Sequence, residues 1–169
     1  MVIYQSLWGN TAAVARAIAQ GIGPGTTVVH TGELSPEEAA EATLLVVGAP
    51  VHAMTLPSAS TLASVALRPL GPGDVAADLD QPLMRDWVSR LPDGDQVAAA
   101  FDTRVAGALG RGGTSTLERL LKARGCRLLH PGEGFVVVNM RAVRESAGML
   151  REGELARATA WGKQLAALV

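Results

Sequence analysis

The sequence predicts an α/β protein, a doubly wound three-layer sandwich in which a five-stranded parallel sheet lies between helices. Patterns typical of strands and of amphipathic helices alternate along all 169 residues. The central strand candidates are apolar throughout, as strands covered on both faces are. With 48% hydrophobic and 18% charged residues, the chain has enough apolar surface for the core of one domain, which we predict to span residues 1–169.

Strands are predicted where β-branched, aromatic or continuous apolar runs are bounded by turn-forming residues. The first candidate, VIYQ, precedes a polar loop, and TLLVVG is apolar throughout. The fifth is interrupted by a Pro-Gly turn, or is divided into two short strands. The predicted strands are Met1 to Gln5, Thr26 to His30, Thr43 to Gly48, Gln96 to Phe101, and Arg127 to His130 with Phe135 to Met140.

Helices are predicted from apolar residues at helical spacing and from capping signals. Ser35-Pro36-Glu37-Glu38 and Ser115-Thr116-Leu117-Glu118 are both capping-box patterns, and Gly125 is a natural residue to end the second helix, near Arg124. The other predicted helices are Thr11 to Gly21, a short one near Ser60 to Ala66, Gln81 to Leu91 and Glu152 to Val169.

Composition excludes several functional classes. A net charge of −1 gives no electrostatic basis for binding nucleic acid or an anionic membrane. The single cysteine, Cys126, cannot form an intramolecular disulfide or a zinc site, and we predict that it is a small buried residue. There is no leader-like N-terminus and no apolar run long enough to span a bilayer, so we expect a cytoplasmic protein.

The loop SLWGNT lies between the first predicted strand and the first predicted helix. Gly9 permits a tight turn, Ser6 and Thr11 supply hydroxyls, and Asn10 can cap the helix that begins at Thr11. The free N–H groups of that first turn favour an anion. Neither a P-loop lysine nor GxGxxG is present, and Glu33 follows no glycine fingerprint. The loop therefore predicts a phosphate monoester site, with an ordinary capped turn as the alternative.

Four stretches together resemble the flavodoxin-like family. YQSLWGNTAAVARAIA resembles the first strand, phosphate loop and first helix of its small bacterial members, which begin with a Y-x-S-x-[FW]-G-N-T stretch. TLLVVGAPVHAM and AAAFDTRV resemble the third and fourth strands with their loops, and LARATAWGKQLAAL resembles the last helix. The resemblance covers most of the chain in the same order, is weakest from Leu56 to Asp80, and implies the strand order 2-1-3-4-5.

The resemblance implies FMN as cofactor. Its phosphate would lie on the first loop, and its ring would lie between the loop that follows the third strand and the loop that follows the fourth. The implied cofactor-binding residues are Ser6, Leu7, Trp8, Gly9, Asn10, Thr11, Ala49, Pro50, Val51, His52, Ala53, Met54, Phe101, Asp102, Thr103 and Arg104, with Gly107, Gly110, Gly112 and Gly113 extending the second wall.

The sequence departs from the family pattern in three respects. Trp8 replaces a hydroxyl residue of the usual phosphate loop. The two ring loops lack a stacking aromatic, which leaves His52, Met54 and Trp8 as candidates. The near-neutral charge differs from that of acidic electron shuttles. For individual residues, simpler alternatives are a backbone hydrogen bond for His52, a turn start for Asp102 and a solvated side chain for Arg104.

Three functions follow from these observations. The first is an FMN-binding flavoprotein in electron transfer or oxidoreduction, working with a redox partner protein or a small-molecule acceptor. The second is a flavodoxin-like domain that no longer binds flavin and serves as a binding or regulatory module. The third is a quinone- or protoporphyrinogen-linked oxidoreductase. The fold alone does not distinguish them.

Overall fold

A parallel sheet forms the centre of the protein. The structure, a computed structural model, describes residues 1–52, 54–107, 112–138 and 145–169. Its strands are β1 (Val2–Tyr4), β2 (Val28–His30), β3 (Leu45–Pro50), β4 (Val97–Val105), β5 (Arg127–Leu128) and β6 (Glu133–Val137). The order is β2-β1-β3-β4-β5, and β6 also pairs with β4; every one of these pairings is parallel. The predicted order 2-1-3-4-5 is confirmed, with two short strands sharing the fifth position.

Helices cover both faces of the sheet. They are α1 (Asn10–Ile22), α2 (Pro36–Ala39), α3 (Ala59–Ala66), α4 (Met84–Ser89), α5 (Gly113–Ala123) and α6 (Glu154–Ala166). One core, between the sheet and helices α1 and α6, contains Phe101, Phe135 and Trp161. The other, beneath α2, α4 and α5, contains Trp87 and the buried Cys126. Among the described residues, no helix is long and apolar enough to cross a membrane.

Strands β3 and β4 extend further than the sequence predicts. β3 continues through Pro50 and β4 through Val105, so Asp102, Thr103 and Arg104 lie in a strand rather than in a glycine-rich loop. The two strands stay paired to the end of β3, and β6 pairs with the far half of β4 on its other side. Strand pairing therefore carries the ends of both strands into the region where the ligand site was predicted.

The predicted N-caps of two helices are wrong. Gly9, with a φ of 80°, is the N-cap residue of α1, and Asn10 is already helical and provides no cap. Helix α5 begins at Gly113 without a capping box, because the Glu118 carboxylate accepts the Gly132 N–H instead. The capping box at Ser35 does form, and so does the predicted helix end at Gly125, whose N–H donates to the carbonyl of Lys122.

Helices α1 and α6 touch through two glycines. A Cβ atom added at Gly162 would lie 2.1 Å from the carbonyl oxygen of Ile18, and one added at Gly21 would lie 2.1 Å from that of Thr159. No side chain fits at either distance, so the two backbones approach each other only because both positions lack a Cβ. This contact fixes where α1 crosses the sheet.

Replacing Gly162 by alanine tests this contact. Alanine is the better helix former by about 1 kcal/mol. We nevertheless expect Gly162→Ala to lower the free energy of unfolding by about 1–3 kcal/mol, because the new methyl overpacks the interface. Urea denaturation measures the change.

The matched control is Ala160→Gly, on the exposed side of α6. This substitution lowers helix propensity at a position outside the contact between the two glycines, and we expect it to lower the free energy of unfolding by about 1 kcal/mol. A Gly162→Ala variant more stable than the parent would show that the two helices do not touch.

Candidate functional site

A cleft opens at the carboxyl edge of the sheet, where β1, β3 and β4 end. Ligands of doubly wound proteins bind at this edge, because the loops of several strands converge there. The cleft has a volume of about 190 Å³. It is lined by Ser6, Leu7, Trp8, Asn10, Thr11, Pro50, Val51, His52, Arg68, Thr103, Val105, Val137 and Met149.

The first loop presents a row of free backbone donors. Gly9 adopts a left-handed conformation, with a φ of 80°, between β1 and α1. The N–H groups of residues 7–12 donate to no acceptor in the described part of the chain. These groups stand at the positive end of the α1 dipole, and consecutive free amides of this kind form a nest for an anion.

Two hydroxyl groups add side-chain donors to this nest. The Oγ1 atoms of Thr11 and Thr103 lie 2.8 Å apart, and either can be the donor. When Thr103 donates, the Thr11 proton is free for an acceptor in the cleft. Ser6 is 3% exposed, and its Oγ has no hydrogen-bond partner among the described residues. A buried hydroxyl left unpaired within a protein is costly, which points to a ligand acceptor at this position.

Two distant segments brace the loop. On one side, the Asp78 N–H donates to the Leu7 carbonyl at 2.7 Å, and the side chain of Gln81 accepts the Ser6 N–H at 2.9 Å. On the other side, the Ala147 N–H donates to the Trp8 carbonyl at 2.9 Å. These contacts use the loop's carbonyl groups and the Ser6 amide, and they leave the row of amides at residues 7–12 unoccupied.

Asn10 joins the loop to the chain beyond β6. Its side-chain oxygen accepts the Met149 N–H at 3.2 Å, which explains why it does not cap α1. Met149 also lines the cleft. Sequence analysis missed Met149, Val137 and Arg68, because none of them belongs to a recognisable motif, and it did not assign Val105, at the end of AAAFDTRV, to the site.

The loop after β3 forms the opposite wall. His52 and Thr55 exchange two backbone hydrogen bonds, of 2.8 and 3.1 Å, across a tight turn. The His52 ring stacks on Trp8, with centroids 6.4 Å apart and planes at 26°. Within the turn Met54 has a φ of 67° and is 53% exposed, and Ala53 lies outside the described residues. Trp8 and His52 thus bring a planar face from each of two loops to one cleft.

Several solved structures share this architecture at low sequence identity. A flavodoxin from the domain Archaea is 17% identical with a TM-score of 0.62, over 98% of this chain and 94% of that one. Oxidised flavodoxin 1 from Bacillus cereus is 16% identical with a TM-score of 0.63, over 99% and 97%. A flavodiiron core from Synechocystis is 18% identical with a TM-score of 0.58, over 99% of this chain and 35% of that one. No protein-family model and no curated protein matches the sequence.

The chain has the flavodoxin-like fold. Within this fold, the structure brings together Ser6, Leu7, Trp8, Asn10 and Thr11 with Pro50, Val51, His52 and Thr103 around one cleft. Gly9 shapes the loop without lining the cleft. The binding roles predicted for all these residues remain predictions.

Asp102 and Arg104 lie on the other face of the flavodoxin-like sheet. Alternation along β4 places Thr103 towards α1 and its two neighbours towards α5. The Asp102 carboxylate accepts two hydrogen bonds from Arg104 and one, at 2.8 Å, from the Thr114 N–H in the first turn of α5. Asp102 therefore caps α5 rather than starting a turn, and Arg104 is paired rather than simply solvated. Burial raises the pKa of Asp102, and these bonds offset only part of the rise.

The glycines between β4 and α5 that the structure describes lie in different surroundings. Gly112 approaches the loop after β3, since a Cβ there would lie 2.5 Å from the Met54 carbonyl oxygen. Gly113 packs against Asp102 and Val51. Around Gly107, with a φ of 88°, there is open space, and the predicted Gly110 lies outside the described residues. Among described residues, no group of histidine, cysteine and acidic side chains forms a metal site.

The His52 pKa predicts a pH-dependent stability. Burial lowers the pKa of this half-buried ring below its ordinary value of 6.5. Just below pH 6.5 the unfolded chain therefore binds more protons at this position than the folded chain does. We expect the free energy of unfolding to fall as the pH is lowered from 6.5 towards the folded pKa, and His52→Gln to remove that part of the fall.

Urea denaturation at several pH values between about 8 and 5, in parent and variant, measures this difference. The two proteins differ only at position 52, so the difference between their curves isolates the contribution of His52. Parallel curves for the two proteins would show that the His52 ring is not desolvated.

Proposed function

We propose that this protein binds FMN in the cleft and acts in electron transfer. The observation that carries the proposal is the row of free amides at residues 7–12 beside the buried, unpartnered Ser6 hydroxyl. That donor set contains no lysine or metal, and it matches the size and charge of one phosphate monoester. The low-identity structural similarity to flavodoxins supports the same cofactor class.

The phosphate would be held by neutral donors. The amides of the first loop supply most of the hydrogen bonds, and the hydroxyls of Ser6 and Thr11 supply the rest. Hydrogen bonds to an anion are shorter and stronger than neutral ones, so such a set can hold a doubly charged group without a cation beside it. When Thr103 donates to the Thr11 hydroxyl, the Thr11 proton is free to be donated to the phosphate.

The ring would lie along the wall from Pro50 to His52. Backbone groups at the end of β3 can bond the polar edge of a heterocycle, and Trp8 and His52 offer faces for stacking. Bound FMN supplies the one- and two-electron redox chemistry. The chain's part is to bind the phosphate, orient the ring and limit water at its face. His52, with its lowered pKa, is neutral at pH 7 and adds no positive charge.

FMN titration of the purified protein, followed by flavin fluorescence or calorimetry, tests the proposal. We expect FMN to bind and riboflavin to bind much more weakly, because riboflavin lacks the phosphate oxygens that would accept most of the hydrogen bonds from the first loop. Absence of FMN binding at micromolar protein would favour the alternative of a flavodoxin-like binding module without flavin.

Substitution of Thr11 tests where the phosphate lies. We expect Thr11→Val to raise the Kd for FMN about tenfold, since one hydrogen bond to a charged group is lost. Thr11→Ser keeps the hydroxyl and should bind FMN nearly as the parent does. Equal FMN affinity in the valine and serine variants would place the phosphate elsewhere.

A turnover assay on the purified protein distinguishes an electron carrier from an enzyme. An oxidoreductase reduced by NAD(P)H should turn over a small-molecule acceptor such as a quinone by itself. A carrier should require a separate reductase and should pass electrons to a redox partner protein. Steady-state turnover with and without an added flavodoxin reductase measures the difference.

A further inference from the structure

An apolar groove lies beside the cleft, between the C-terminal end of α3 and residues 74–79. Trp8 and Arg68 line both spaces. The groove has a volume of about 110 Å³, and we call it the α3 groove. The proposed flavin site does not account for it. Its apolar wall is formed by Trp8, Val65, Leu70, Val75 and Leu79.

The helix that forms one side of this groove is itself exposed. Helix α3 buries none of its eight residues. Leu67, which follows the helix, is 84% exposed, and Leu70 is 57% exposed. Leu67 is the most exposed large apolar side chain in the described part of the chain. A single exposed leucine is ordinary, but an exposed leucine next to an apolar groove forms a continuous apolar face, which is typical of an interaction surface.

This face carries almost no charge. Residues 54–67 include no aspartate, glutamate, lysine, arginine or histidine, although 18% of the whole chain is charged. Arg68 and Asp74, which also line the groove, have opposite charges. An uncharged face cannot attract an oppositely charged protein by electrostatic steering. It can, however, meet a second copy of itself about a two-fold axis, because no like charges are then brought together.

The exposed leucine and the α3 groove are complementary in size and position. An apolar cavity of about 150 Å³ can hold a benzene molecule, so the α3 groove can hold one leucine side chain. Leu67 lies between Ala66 and Arg68, which both line the groove. Because the projection and the groove are neighbours on one face, a two-fold axis between them brings Leu67 of each copy to the groove of the other.

We propose that this face binds a second copy of the chain, with Leu67 of each copy in the α3 groove of the other. Such a dimer removes two exposed leucines and two apolar grooves from water. The face is smaller than a standard interface of about 20–30 residues on each side, so we expect a dimer Kd in the micromolar range. Since Trp8 lines both the groove and the cleft, each copy also contributes a side chain next to the other's candidate site. This inference goes beyond the proposed function and does not depend on flavin binding.

Sedimentation velocity of the full-length chain without added flavin, over a series from low to high micromolar concentration, tests the proposal. We expect the parent to pass from monomer to dimer across the series. Leu67→Ser should raise the dimer Kd about a hundredfold or more, because each dimer loses two buried leucines. This variant should fold as the parent does, since Leu67 is exposed in the single chain.

A second variant and a control make the test specific to this face. Ala76 is exposed and lines the groove, so Ala76→Phe should fill the groove, leave Leu67 in place and raise the dimer Kd in the same way. Leu155→Ser removes an exposed leucine from α6 and should leave the dimer Kd unchanged.

The outcomes are distinct. A dimer that forms in the parent and in Leu155→Ser, and is lost in both Leu67→Ser and Ala76→Phe, supports the proposal. A parent that stays monomeric throughout the series overturns it. So does a dimer that survives either of the two substitutions on this face, or one that Leu155→Ser weakens equally. Because FMN binding is measured separately, none of these outcomes decides the proposed function.

Discussion

The contact between Gly21 and Gly162 governs the rest of the molecule, because it fixes α1 on the sheet. With no Cβ on either residue, the backbones of α1 and α6 approach closely enough for their carbonyl groups to occupy the space of a side chain. The other end of α1 is held by the Thr11–Thr103 hydrogen bond to β4. A helix fixed at both ends holds its first turn at a constant position, and that first turn carries the candidate anion site.

The fold follows from sequence wherever local patterns and tertiary packing agree. Apolar runs bounded by turn residues predict the strands, and Cys126 is buried, as its sequence context predicts. Errors occur where a distant partner changes a local preference. The same Ser-x-x-Glu pattern forms a capping box at Ser35 but not at Ser115, because Gly132 engages Glu118 and Asp102 caps α5 from β4. Likewise β4 extends through Val105 because β6 pairs with it, which no local pattern near Asp102 indicates.

In the candidate site, too, features set by local sequence are predictable and features set by distant partners are not. The position of the loop SLWGNT is predictable, because its glycine and hydroxyl residues separate a strand pattern from a helix pattern. The hydrogen bonds that hold this loop in place are not predictable. Asp78 and Gln81 contact the loop although they lie more than seventy residues away in sequence, and Met149, which contacts Asn10, lies further away still. The face of β4 on which Asp102 lies is also not predictable, since a segment predicted as a loop carries no predicted alternation of side chains. Local chemistry was therefore predictable, whereas its surroundings depended on long-range hydrogen bonds.

The electrostatics of the cleft follow from these placements. Asp102 and Arg104 face α5 and satisfy each other, so their opposite charges contribute little on the side of Thr103. His52, whose pKa is lowered by burial, is neutral at pH 7. What remains at the anion loop is a set of amide and hydroxyl dipoles oriented by α1, by β4 and by the two bracing segments. Because these dipoles are held in place by the fold, an anion at the candidate site would gain its hydrogen bonds without reorganisation of the loop, and we expect its affinity to depend on the rigidity of α1 as well as on the donors.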